Sequence, residues 1–160
     1  VARVAQALLG QSDRFRSSVR GTAEGYLTLW ADEVVCQATS RSDFAIGDLV
    51  CLDKPVTLYL QPPPSDAGRV RPLVRLILNQ IARGLMEDRE RDGRGRPKRH
   101  RLLMLLDEFP TLGRLPFFSE NLRQMAGYGL KAHLIVQSFN DIVEAYGPHN
   151  TIIDNCHVLC

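Results

Sequence analysis

The 160-residue chain holds no G-x-x-x-x-G-K-[ST] loop, the turn whose backbone N–H groups cradle a nucleotide's phosphates. Gly93-Arg94-Gly95-Arg96-Pro97-Lys98 is glycine-rich and basic, but it lacks that pattern, and its proline removes a backbone donor such a cradle would use. A self-contained phosphate-loop site is thereby excluded. No apolar run approaches the ~20 residues of a membrane-spanning helix. Cysteine is scarce: Cys36, Cys51, Cys156 and Cys160 show none of the paired spacing of a zinc finger. A strand reading of 156–160 puts Cys156, Val158 and Cys160 on one face and His157 on the other, so reduced, buried thiols are expected. Charge of one sign is lacking too. The 20 Lys and Arg against 18 Asp and Glu leave +2, too little to argue for nucleic acid by itself.

What is present is Arg101-Leu102-Leu103-Met104-Leu105-Leu106-Asp107-Glu108-Phe109-Pro110. Five consecutive apolar residues run into two carboxylates. A surface strand would alternate, so a short unbroken run predicts a strand buried on both faces, as in a parallel α/β sheet. A carboxylate ending such a strand opens into the crevice where these sheets bind ligands. This is the layout of a Walker B motif.

The rest of the chain alternates in the same way. Phe15, Val19, Ala23, Tyr26, Trp30 and Val34 recur at helical spacing, with Gly21 and Gly25 as weak points. The irregular stretch 39–53 predicts a boundary, dividing a helical piece, 1–48, from an α/β piece, 49–160. Pro55 to Leu60 reads as a strand rich in β-formers. Leu73, Ile77, Ile81 and Leu85 mark a helix. Strand, helix and the Asp107 strand would make a parallel βαβ unit. A helix over 119–126 closed by Gly127 and Gly129 comes next. It leads to a buried strand, 131–137, holding a core His133. Ser138 with Asp141 opens a further helix, and 156–160 begins a fourth strand. The fold class is therefore α/β, a parallel sheet with an N-terminal helical segment.

Phosphoryl transfer from a nucleoside triphosphate needs a fixed Mg²⁺, a positioned water and a group sensing the γ-phosphate. Asp107 suits the metal, a hard cation that keeps several waters. Glu108 suits the water as general base. Gln137 ends the next strand, so neighbouring strands would bring its amide beside the two acids. The segment 89–101 carries seven Arg or Lys with Glu90 and Asp92 interleaved. It reads as a flexible, solvated loop before it reads as a phosphate-backbone contact. Trp30 and the tyrosines read as core or interface residues.

The string Leu105 to Leu115, then Ala126-Gly127-Tyr128-Gly129-Leu130 and Ile135-Val136-Gln137-Ser138, resembles the TraG-like type IV coupling proteins of bacterial conjugation and secretion. Gly21 to Leu27, Trp30-Ala31-Asp32, Thr57 to Gln61 and Asp154-Asn155-Cys156 are similar to the same family, so the likeness covers nearly the whole chain. The resemblance implies a RecA-like P-loop NTPase using ATP and Mg²⁺, assembled as a hexamer. It implies transfer of DNA with a bound relaxase, or of protein substrates, into the type IV secretion channel. It also implies an inner-membrane anchor with the motor on the cytoplasmic face, and a helical domain inserted in that motor. Residues 1–48 would end that helical domain, and 49–160 would be the Walker B half of the motor. By position Asp107 and Glu108 match the Walker B acids and Gln137 the motif glutamine. Relatives with a basic residue late in the following helix have no counterpart in Met125 to Tyr128; Arg114 and Arg123 are the nearest alternatives.

The opening Val1-Ala2-Arg3-Val4 and the apolar end at 156–160 lead us to expect an internal piece of a larger protein, with the phosphate loop upstream. Two other readings fit the residues. One is a non-enzymatic docking or assembly module using the helical face of 11–39; the other is a different RecA-like DNA-translocating ATPase.

Overall fold

A computed structural model describes residues 2–159, leaving out the side chain of Ala2. The chain divides into two compact units between Asp43 and Phe44.

The first unit holds α1 (Ala2–Leu9), α2 (Asp13–Leu27), a 3-10 turn (Thr28–Ala31) and α3 (Glu33–Thr39). Ser12 caps α2, its side chain accepting from Phe15 N. Asp32 caps α3, accepting from Val34 N and Val35 N at 3.0 and 3.1 Å. The single apolar face expected over 15–34 is therefore cut at Asp32, not at Gly21 or Gly25. Asp32 adopts extended backbone (φ −69°, ψ 125°), and a new helix starts from its carboxylate. Among the described residues of this unit Val35 alone is buried.

The second unit runs through α4 (Asp48–Cys51), α5 (Ala67–Leu85), β1 (Leu102–Leu106), α6 (Pro116–Met125), β2 (Leu130–Leu134) and α7 (Phe139–Tyr146). On α5 the buried residues are Leu78, Ile81, Ala82 and Leu85, the i, i+3, i+4, i+7 stripe of an amphipathic helix. Pro116 opens α6 at a position where a missing N–H costs nothing. Gly129, at φ 81°, turns the chain from α6 and its closing 3-10 turn (Ala126–Tyr128) into β2. The strands pair in parallel, Leu102 with Leu130 through Leu106 with Leu134. A β-α-β unit thus forms through α6, one element later than a pairing with 55–60 would give. One core holds this unit, with Ala82, Phe109 and Ile152 fully enclosed and Leu85, Phe118, Met125 and Leu130 nearly so.

Several expectations fail here for identifiable reasons. Residues 55–60 form no strand; among the described residues no ladder partner lines up with them, so β-propensity goes unused. The apolar run of β1 is buried on one face only, with Leu103 and Leu105 each 60% exposed. On β2, His133 is exposed rather than a core residue, since it pairs with Leu105 on that same open face. Residues 156–159 form no strand, and Cys160 lies outside the described residues. Cys51 is buried, but Cys36 is exposed.

The basic segment is a folded loop rather than a mobile one. Arg91 and Pro97 form an antiparallel bridge. Asp92, 7% exposed, accepts from Arg94 N, Arg96 N and Arg96 Nε. Arg96 Nη1 reaches Asp48 at 2.6 Å. Lys98 Nζ donates to Leu85 O, the last carbonyl of α5, and to Asp88 O in the loop beyond it, both at 2.5 Å. Arg89 lies over the Tyr128 ring, its guanidinium carbon 5.5 Å from the centroid.

Candidate functional site

The C-terminal ends of β1 and β2 bring together three side chains that are far apart in sequence. β1 ends at Leu106, and Asp107 and Glu108 follow at once, both exposed. Glu108 is the one non-glycine among the described residues with positive φ (46°, ψ 44°). Left-handed backbone in such a residue costs on the order of 1–3 kcal/mol and persists where its surroundings over-determine it. Here they do. Glu108 N donates to Asp107 Oδ1 at 3.0 Å, and Glu108 O accepts from Thr111 N and Thr111 Oγ1 at 2.9 and 2.8 Å.

Strand pairing continues past the ends of the ladder. Ile135 N donates to Leu106 O and Phe109 N to Ile135 O, both at 3.0 Å. This holds the two strand exits side by side. Gln137, in the bend after β2, then donates from Nε2 to Glu108 Oε1 at 3.1 Å. The next residue, Ser138, begins α7 with a capping box: its side chain accepts from Asn140 N, and Asp141 Oδ2 accepts from Ser138 N.

The turn is anchored from beneath by Phe109, which is fully buried. Its ring stacks on Tyr146 of α7 at 5.4 Å and 17° and lies tilted against Phe118 at 6.2 Å. The Tyr146 hydroxyl accepts from Leu115 N at 3.2 Å and donates to Gly113 O at 3.5 Å. Burial pushes its phenol up from the usual tyrosine range, partly offset by the Leu115 N–H and the Arg75 and Arg114 charges. Gly113 stands at φ 70°, where a side chain would be strained and a Cβ would approach Arg75 Nη1 at 3.3 Å. Arg75 Nη2 donates to Arg114 O at 2.6 Å, so α5 also grips this segment. The Arg114 and Arg123 side chains are exposed.

Asp107 and Glu108 offer exposed carboxylate oxygens, the hard donors Mg²⁺ prefers when it retains water. Among the described residues no cluster of three or more His, Cys, Asp or Glu is arranged to hold a metal, so any cation here would depend on waters and on groups outside this set. The juxtaposition of Gln137 with the Asp107-Glu108 pair, expected if the two strands are neighbours, is present as the Gln137–Glu108 hydrogen bond. Tyr146 was not singled out for this site. The only signal was its place four residues after Ile142 on an apolar helical stripe, which says "core" and nothing more.

The chain matches the family model described as type IV secretory system conjugative DNA transfer over residues 2–160. It is 43% identical over 164 aligned residues to a conjugal transfer protein TraG of Escherichia coli, covering 99% of this chain and 26% of that relative. A second TraG from the same species is 42% identical over the same share. Protein VirD4 of Agrobacterium fabrum is 39% identical over 123 residues, covering 77% of this chain and 18% of VirD4. The chain thus spans about a quarter of the length of the TraG relatives it matches. Among the described residues no helix is long and apolar enough to cross a membrane. With residues 2–160 matched by the family's model, the chain belongs to the type IV secretory system conjugative DNA transfer family.

Proposed function

We propose that this chain is part of an ATP-hydrolysing motor that drives DNA with a bound relaxase, or protein substrates, into a type IV secretion channel. The observation that carries the reading is the Gln137 Nε2–Glu108 Oε1 hydrogen bond, which joins the polar ends of two parallel strands. In this reading residues 49–160 are the Walker B half of a RecA-like P-loop NTPase, and 1–48 end an inserted helical domain that recruits substrate. ATP with Mg²⁺ supplies the transferable phosphoryl group and its charge neutralisation. Asp107 holds the metal directly or through a bound water, Glu108 accepts a proton from the attacking water, and Gln137 contacts the γ-phosphate. The phosphate cradle comes from sequence outside this chain. The full-length motor works as a hexamer at the cytoplasmic face of the inner membrane, with other channel components as partners.

Glu108→Gln in the full-length protein keeps the side chain's shape and removes its basicity. Nucleotide binding is expected to stay within about twofold, while ATP turnover falls on the order of 10²-fold or more. Turnover equal to wild type would sink the assignment.

A second reading, a docking module without catalysis of its own, draws on the first unit. There Phe15, Tyr26, Leu27 and Val34 stay 51–77% exposed, more apolar surface than an unpartnered helical segment needs. Pull-down of a relaxase by residues 1–50 supports that reading, and binding retained only by variants lacking them counts against it.

A further inference from the structure

We propose that Tyr146 is a positioning residue for the Asp107-Glu108 turn, tying Glu108 and Gln137 to the segment that carries Arg114. This inference rests on the motor reading above and assigns to that site a part it does not otherwise have.

The geometry forms a closed loop of contacts around α7. At the helix's N-terminal end, Gln137 bonds Glu108 and the Ser138–Asp141 capping box fixes the helix start immediately after it. At its C-terminal end, Tyr146 does two separate things. Its ring stacks on Phe109, the residue next to Glu108, and its hydroxyl bridges Leu115 N and Gly113 O. Those two residues flank Arg114, whose own carbonyl is held by Arg75. A helix of eight residues is a stiff element about 12 Å long. Any displacement of Gln137 along or across that helix is therefore felt at Phe109 and at the Arg114 segment together.

The hydroxyl matters separately from the ring. Phenylalanine at this position would fill the same space and keep the stack, so a purely space-filling role predicts little change. The hydroxyl is the one partner found for Leu115 N outside the helix and strand ladders. Without it a buried amide is left unsatisfied beside the turn, and the segment 113–115 loses its register against α7. Glu108 already sits in left-handed backbone, a conformation its neighbours must hold in place. Loosening its support shifts the carboxylate away from where it must meet water, and misplacement by about 1 Å can cost on the order of 10²-fold in rate.

The test uses the full-length protein and compares Tyr146→Phe with Ile142→Val. Ile142 is buried on the same face of α7 but touches the turn through no hydrogen bond, so it serves as the control for plain loss of packing. Tyr146→Phe is expected to lower kcat for ATP about tenfold, with KM for ATP within about twofold of wild type. Ile142→Val, with an equal or larger drop in thermal midpoint, is expected to keep kcat within about twofold. Equal kcat for Tyr146→Phe and wild type overturns the proposal. So does a kcat loss in Ile142→Val that matches the loss in Tyr146→Phe, which would reduce Tyr146 to a packing residue. If Tyr146→Phe fails to fold, hydrogen exchange at the Leu115 amide of the wild-type protein serves instead: with the Tyr146 hydroxyl as its acceptor this amide is expected to exchange at least about tenfold more slowly than the exposed amides of the first unit, and exchange as fast as theirs overturns the proposal. Glu108→Gln keeps the two readings apart. If Glu108→Gln abolishes turnover while Tyr146→Phe does not change it, only the positioning role falls; if Glu108→Gln leaves turnover intact, the motor reading itself falls.

Discussion

A methyl group at position 47 would stand 2.0 Å from Asp92 Oδ2 and 2.7 Å from Arg96 Nη2. Neither neighbour is free to retreat. Asp92 is held by two backbone N–H groups and by Arg96, and Arg96 is held in turn by Asp48. Gly47→Ala should therefore destabilise the second unit by about 1–3 kcal/mol, as overpacking does, read as a lower urea midpoint with unchanged slope. The same cluster gives a pH dependence. Burial pushes the Asp92 carboxyl up, but bonds from the Arg96 backbone and side chain and from Arg94 N outweigh it and hold it below the ordinary range. The Ala45 N–H and then Arg96 lower Asp48; the Glu90 and Arg91 N–H groups lower Asp88. Folded values below unfolded ones mean a contribution that is fully present above about pH 4 and is lost as pH falls through the lowered values. The urea midpoint should stay level from about pH 7 to 5 and drop below about pH 4. Asp92→Asn should fall below wild type at pH 7 and converge with it in acid; a gap constant across pH would contradict this. In the sequence Asp92 reads only as an acid interleaved in a basic loop. Its role depends on Asp48 and Gly47, more than forty residues upstream, and no local pattern records that meeting. Asp107, Glu108 and Gln137 were legible because each stands at the end of an apolar run, where local order alone fixes the place.

Elements were legible where one chain segment decides its own fate. The α5 stripe needs only a 3.6-residue period, and β1 announces itself as a short apolar run ending in two acids. Residues 55–60 have equal β-propensity, yet a strand exists only when another strand accepts its hydrogen bonds, and sequence composition cannot supply the partner. The open face of β1 has the same origin. An apolar run predicts cover on both faces, but Leu103 and Leu105 stay open because, among the described residues, no layer lies over them. α7 shows how an element's end can be tested. At eight residues it is too short to persist on propensity alone, so its capping box weighs heavily. Ser138→Ala should cost about 1 kcal/mol, and the amides of Asn140 and Asp141 should exchange faster while those of β1 keep their rates. Unchanged exchange at Asn140 would show that packing of Ile142 and Tyr146, not the cap, fixes where the helix begins.

At the scale of the whole chain, the division between Asp43 and Phe44 separates two kinds of stability. Residues 44–160 contain a continuous core in which Phe109, Ala82 and Ile152 lose all contact with solvent, so their amides open only with the unit as a whole. In residues 2–43 the helices are 8, 15 and 7 residues long. Their fixed points are caps and surface pairs such as Arg16–Asp13 and Arg20–Glu24, with Val35 as the buried side chain. Helices of that length are marginal in water without tertiary packing, and exposed ion pairs add little. Hydrogen exchange on this 160-residue chain should therefore split in two. Amides of α1, α2 and α3 should exchange through local opening that costs little free energy, and those of β1, α5 and β2 should approach the global unfolding limit. Heating should melt the first unit as a broad, low-temperature loss of helical signal ahead of a cooperative transition of the second. Protection in α2 equal to that in β1 would mean that the exposed face of Phe15, Tyr26 and Leu27 is covered in solution, and the association state of the chain would then identify the cover: protection that disappears on dilution means a second copy, and protection independent of concentration means contact within the chain.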